Sequence, residues 1–255
     1  GSFIFPPYRL RGIFMKRLLH KLLLLIVSTA LILQSSSIAL AKTESAVSWF
    51  ADVSLGKEGF YDDVIYAGWE LGFFYGTAPE QFSPRKPVTL AESVTFLGRV
   101  YEKLSGIKLE ESYSVADIDP GRFYSRYAIW AREKGLLDPF FQKSFQPEHP
   151  MTREDTAILL YRFLLLFDTT KMIGMENAFH YADEEELSTE GRAAVYTLSA
   201  IPLVPYDRCD YEKKWLAPAK NTLRREMASY TMRIWRIAAI SMISAKSRAR
   251  TEPAR

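Results

Sequence analysis

Phe145-Gln146-Pro147-Glu148-His149-Pro150-Met151-Thr152-Arg153-Glu154-Asp155 decides the fold, because its frame occurs more than once. It returns as Phe82-Ser83-Pro84 followed by Val88-Thr89-Leu90-Ala91-Glu92. A weaker form is Leu216-Ala217-Pro218 followed by Thr222-Leu223-Arg224-Arg225-Glu226. An aromatic or leucine, a proline two residues on and a helix start of fixed chemistry form a repeat signature. Gly72, Phe82 and Thr89 match Gly135, Phe145 and Thr152, each 63 residues on, and Pro147 and Arg153 match Pro218 and Arg224, each 71 on. Asp52, Asp117 and Asp183 open the copies after Phe50-Ala51, Val115-Ala116 and Tyr181-Ala182. The last two aspartates are 66 apart, so about five extra residues fall inside the third copy, with polar Tyr206-Asp207-Arg208-Cys209-Asp210 their natural place. A chain built this way places function on surfaces between copies.

Each copy reads as helix, loop, helix. Val64, Ile65, Ala67 and Leu71 make a helical stripe that Gly72 ends, and Gly76 permits the following turn. Phe82 is expected to plug the core beneath its loop. The second helix starts at Thr89, with Val94, Leu97, Val100, Tyr101 and Leu104 on one face. The second copy repeats this with Tyr127 to Ala131 and Ile158 to Leu164, the third with Ala193 to Tyr196 and Met227 to Trp235. Leu164-Leu165-Leu166-Phe167 is apolar all round and reads as buried on most sides. Residues 168–179 and the stretch after Ile240 read as linkers. The expected fold class is mainly α.

Thr89 with Glu92, and Thr152 with Asp155, have capping-box spacing. The hydroxyl accepts from an orphan N–H, and the acid three residues on reaches back to the cap. Glu226 holds the acid position in the third copy. Arg153 and Arg224 are not explained this way, because an acid in the first turn is favoured by about 0.3–1 kcal/mol and a cation opposes the dipole. Two uses fit their recurrence. One is an anion site, in which a guanidinium joins the free N–H groups of a helix start. The other is pairing with acids of a neighbouring copy, such as Asp117 or Asp183.

The ordered set resembles a triplet of S-layer homology domains, running from about Trp49 to Trp235. That family's repeats combine an aromatic-x-Asp opening, a glycine-rich turn, an aromatic-x-Pro step and a Thr-Arg-Ala-Glu helix start. The resemblance implies a pseudo-threefold helical prism that binds secondary cell-wall polysaccharide, often through a pyruvylated amino sugar, in grooves between copies. It assigns the ligand to Arg153, Arg224, Asp52, Asp117, Asp183, Gly72, Gly76 and Gly135. Arg153 and Arg224 would meet the polymer's acidic groups, while the aspartates accept from sugar hydroxyls or order the groove. No copy matches in full. Leu90 replaces the first arginine, and the third copy loses its capping threonine at Leu223, leaving Asn221 or Thr222 to cap. Pro139, Ile201 and Pro205 replace turn glycines, and Tyr61, Tyr124 and Glu190 stand where the family has tryptophan. One or two working grooves are expected. The erosion also fits an alternative, a degenerate triplet that serves as an envelope protein-interaction or assembly module.

The chain begins with residues unlike the rest. Met15-Lys16-Arg17 and Lys21, an apolar run from Leu22 to Leu33, and Ser35 to Ala41 have the three parts of a secretory signal peptide. The run is short against the ~20 apolar residues of a span. The expected organisation is therefore a leader at 1–14, a signal peptide at 15–41 and repeats at 47–108, 113–170 and 178–238. A basic tail follows at 239–255. No transmembrane span is expected after cleavage. Five of the 33 basic residues and none of the 30 acidic ones lie in the first 41 positions. Six more basic residues follow from Arg233 on, against Glu252 alone, so the repeat body is mildly acidic. A broad nucleic-acid-binding face is not expected.

Cys209 is the only cysteine, which excludes an internal disulfide. His149 and His180 lack ligand spacing, so neither metal nor cofactor is expected. Glu184-Glu185-Glu186 reads as a solvated helix start rather than a catalytic pair. No nucleophile elbow, phosphate loop or dinucleotide fingerprint occurs. Trp69 and Trp130 read as core. The expected function is non-enzymatic attachment of a secreted protein to the bacterial cell wall or surface. Its expected partners are wall glycan and other envelope or S-layer proteins.

Overall fold

The computed structural model describes residues 50–53, 60–110, 115–137, 144–167, 169, 173–201, 203, 208–209 and 213–251. The expected leader and signal segment, most of the 206–210 insertion, Pro139 and Pro205 lie outside them. Residues 49–255 form one compact unit.

Among the described residues there are six α-helices: α1 (Phe60–Glu70), α2 (Leu90–Ser105), α3 (Ser125–Glu133), α4 (Arg153–Leu165), α5 (Thr189–Ser199) and α6 (Arg224–Thr251). Strands β1 (Arg208–Cys209) and β2 (Lys214–Trp215) pair antiparallel, Arg208 opposite Trp215. The molecule is mainly helical. Helix α2 packs on α3 and α4 on α5, while the last helix, α6, packs on the first, α1. The three longer helices meet inside, α2 and α4 each touching α6.

Backbone hydrogen bonds tie the three loop-to-helix segments into a closed ring. Val88 N–H donates to Thr222 O, Thr222 N–H to Met151 O and Met151 N–H to Val88 O, each at 2.9 Å. One step outward, Leu90 N–H donates to His149 O, Arg153 N–H to Lys220 O and Arg224 N–H to Lys86 O, again at 2.9 Å. The first N–H groups of α2, α4 and α6, which their own helices leave unpaired, are thus satisfied by the loop of another segment. Phe82, Phe145 and Leu216 are buried beneath the three loops, within a core that also holds Ile65, Leu97, Trp130, Phe163, Leu198 and Ile234.

Three expectations change. The stretch after Ile240 is helical to Thr251 rather than a linker; its Ala, Lys and Arg are good helix formers. Residues 168–179 are partly packed: Thr169 and Ile173 are buried, Thr169 Oγ1 donating to Leu164 O at 2.7 Å, and Met175–Asn177 form a 3₁₀ turn. Helix α4 ends at Leu165, and that side chain is exposed although Leu164 is buried, so the apolar run is not enclosed all round.

Candidate functional site

The three opening aspartates sit under the proline loops. Asp52 accepts from the N–H groups of Phe82 (2.8 Å) and Ser83 (2.7 Å), and Asp183 from those of Leu216 (2.9 Å) and Ala217 (2.7 Å). Ser83 and Ala217 adopt φ +59° and +54°, which turns both N–H groups toward one carboxylate. Asp117 accepts from the loop through Phe145 N–H (2.6 Å), and Arg132 supplies a bidentate pair at 2.7 Å for each N–H. The hydrogen bonds from Arg132, with a further one from Phe145, hold the Asp117 pKa down to about 2 against some opposition from burial. In all three segments the aspartate orders a loop from beneath.

Thr89 and Thr152 cap α2 and α4 with both halves of a capping box present, through Glu92 and Asp155. In the third segment Glu226 accepts from Leu223 N–H at 2.8 Å. Thr222 does not cap. Its hydroxyl accepts from Thr156 Oγ1 (2.9 Å) and lies 3.3 Å from Thr152 O.

The arginines of the helix starts turn inward. Arg224, 2% exposed, pairs with Glu92 of the first segment, donates to Phe82 O (2.8 Å) and Tyr75 O (3.2 Å), and lies 4.7 Å from the Phe82 ring centroid. Burial lowers its pKa, and attraction and hydrogen bonding by Glu92 work the other way. Arg153, 6% exposed, donates to Leu216 O at 2.6 Å and faces Glu226 of the third segment at 3.7 Å. At the two helix starts that carry an arginine, the carboxylate it faces is the next segment's capping acid. At the remaining seam Leu90 stands in the arginine's place, and Asp155 meets His149 at 3.5 Å.

Gly72 and Gly135 end α1 and α3 at φ +78° and +67°, the left-handed conformation that favours glycine. Gly76 is required by space, since a Cβ there would lie 2.5 Å from Gln81 O.

Sequence reasoning missed a second recurring arginine, ten residues after each helix cap position: Arg99, Arg162 and Arg233. Arg99 donates to Phe73 O at 3.2 Å, and Arg162 to Gly135 O (3.2 Å) and Leu136 O (3.3 Å), so both guanidiniums hold the carbonyl end of a preceding helix. The 63-residue offset that aligned the caps also aligns this pair. The two surroundings differ. Glu190 closes on Arg162, its Oε1 2.7 Å from Nε and 2.6 Å from Nη2. Arg99 instead stacks over Tyr75, 4.1 Å from the ring centroid.

Around Arg99 lies an open cleft of about 370 Å³, where the end of α1, the face of α2 and the start of α3 converge. Lys103, Lys108 and Arg126 join Arg99 in lining it, against the single acid Glu102. Glu102 is occupied structurally, accepting from Leu109 N–H at 2.9 Å and from Tyr127 Oη at 3.4 Å. Arg126 donates to Tyr127 Oη at 2.6 Å. Burial disfavours the charged form of Arg126, but the Tyr127 hydrogen bond and Glu102 outweigh it and raise its pKa. Lys103 and Lys108 have no carboxylate partner among the described residues. With Gly72 at its edge, the cleft combines the exposed Tyr75, stacked under Arg99, with two lysines that have no carboxylate partner among the described residues.

A helical module with a cationic, aromatic-walled cleft at a seam between segments is the class that fold and site define. Residues 116–157, from the Asp117 opening through the Thr152 cap of α4, match the family model of the S-layer homology domain. The chain carries a domain of that family there, and domains of this kind are anchoring modules of the cell wall or surface. No curated protein matches the chain. Among the described residues no helix is long and apolar enough to cross a membrane, and no cluster of His, Cys, Asp and Glu could hold a metal ion.

Proposed function

We propose that this is a non-enzymatic wall-anchoring protein whose three segments make a pseudo-threefold prism that binds an acidic secondary cell-wall glycan at a seam. The observation that carries the reading is the cleft on Arg99. A pyranose ring packs against the part of Tyr75 that Arg99 leaves exposed, and a carboxylate such as a pyruvate ketal is met by Lys103 and Arg126. Gly72 keeps the rim low. Asp52, Asp117 and Asp183 order the loops, with Gly76 and Gly135 shaping the turns, while Arg153 and Arg224 brace the seams from inside. Other envelope or S-layer proteins are secondary partners.

The test is sedimentation of residues 49–255 with purified wall sacculi, before and after the secondary polymer is removed. Recovery lost with the polymer, and weakened about tenfold or more by Lys103→Ala with Arg126→Ala, is the expected result. The Leu90 substitution favours a second reading, a degenerate triplet acting as an assembly module of the envelope. Recovery that ignores both polymer and substitutions would select it.

A further inference from the structure

We propose that the distal end of α6 is a docking face for an anionic phospholipid surface, a contact separate from the glycan cleft. Helix α6 runs for 28 residues. Its inner side is packed as far as Ser241, whose hydroxyl donates to Phe167 O at 3.2 Å, and Ala238 is buried. The opposite side carries Ile240 and Ile243, which are 55% and 68% exposed. They are three residues apart and so share a face. Leu165, also exposed, lies two residues before Phe167 at the same end of the molecule.

A soluble helix has no internal reason to display two isoleucines there. Isoleucine is a weaker helix former than Ala, Lys or Arg, and its exposed area gains nothing from water. The surrounding sequence indicates what covers it. Arg236, Ile240 and Ile243 follow one helical stripe at offsets of four and seven, and the sequence continues with the basic residues Lys246, Arg248 and Arg250. No acid occurs between Arg233 and Thr251. A basic helix with a narrow apolar stripe is the pattern that lies in a membrane interface, its cations attracted by phosphate headgroups and its apolar residues entering the acyl boundary. A second copy of the chain fits less well, because pairing two such faces opposes cation to cation. Two isoleucines also supply little of the ~800 Å² per partner of a standard interface. A soluble polyanion would use the cations and leave the isoleucines in water.

The experiment is flotation of residues 49–255, the compact unit, with vesicles of phosphatidylglycerol and phosphatidylcholine mixed, and with phosphatidylcholine alone. Binding is expected to the anionic vesicles only. It should fall about tenfold or more in Ile240→Glu with Ile243→Glu, and to a similar degree in 0.5 M salt. Both substitutions are on exposed positions, and thermal melts monitored by circular dichroism check that the fold is kept. Equal binding to both vesicle types, no binding, or binding that ignores the isoleucines would overturn the proposal. Dimerisation that the same substitutions abolish, without vesicle binding, would overturn it in favour of a self-interface.

Discussion

Arg224 shows how one side chain holds two distant parts of the chain. It reaches 132 positions back to Glu92, which at the same time completes the capping box of α2. Removing the cation alone leaves a partly buried carboxylate and the carbonyls of Phe82 and Tyr75 without their donor. Arg224→Leu should therefore cost about 3–5 kcal/mol, read as a lower urea midpoint at unchanged slope. Adding Glu92→Gln removes the stranded charge, yet the amide oxygen still accepts from Thr89 N–H. The double variant should recover about 1–3 kcal/mol, and strict additivity would contradict the coupling. The chain already contains a comparison, since Leu90 occupies the arginine's place at one seam without disturbing the backbone ring. Asp117 gives a pH-dependent counterpart. Its folded pKa is depressed from 3.8 to about 2, so its contribution is present above the unfolded value and is lost as pH falls through the folded one. Solvent screening at this partly open position reduces the contribution to about 1–2 kcal/mol. Urea midpoints should fall between pH 4 and 2, and Asp117→Asn should remove that part of the acid sensitivity and lower stability at pH 7.

At the scale of the element, local chemistry was legible and distant chemistry was not. The capping boxes of α2 and α4 follow from residues three apart, and the burial of Phe82 and Phe145 from their place before a proline loop. The partners of Arg153 and Arg224 lie 73 and 132 residues away in sequence, which no spacing rule reaches. Arg99 and Arg162 escaped notice because an arginine on an amphipathic helix is expected to face water, whereas these two turn back onto helix-end carbonyls. The end of α6 was missed for the opposite reason, since its polar Ser, Lys and Arg obscure good helix propensity. Loop conformation was equally hidden, as nothing about Ala217 announces a left-handed backbone. That strain is testable. A non-glycine residue at φ +54° costs about 1–2 kcal/mol. Ala217→Gly should recover up to about 1 kcal/mol after the added unfolded-state entropy of glycine is subtracted, seen as a higher melting temperature. No gain would mean that the Asp183 clamp, rather than the residue, sets the loop's energy.

For the molecule as a whole, three seams joined by one ring of backbone bonds need not be equivalent in function. The hydrogen bonds that close the ring come from every segment alike, so side chains on the outer surface can change without loosening the fold. Arg99 and Arg162 occupy matching places on α2 and α4, yet one stacks on Tyr75 in an open cleft and the other is covered by Glu190. Glu190 stands where Tyr124 stands at the first seam and where the resemblance expects an aromatic residue. If an uncovered guanidinium is enough to make the glycan site, the Glu190 carboxylate is what keeps the second seam from serving as another. Glu190→Ala should then raise the binding stoichiometry for a pyruvylated amino-sugar glycoside from one toward two per chain, measured by isothermal titration calorimetry. Lys103→Ala with Arg126→Ala in the same background should leave one site, now the second. Stoichiometry fixed at one in Glu190→Ala would mean that recognition needs more than an uncovered guanidinium. The determinants would then be Tyr75 and Lys103, whose counterparts the second seam lacks, the Lys103 position there being Leu166.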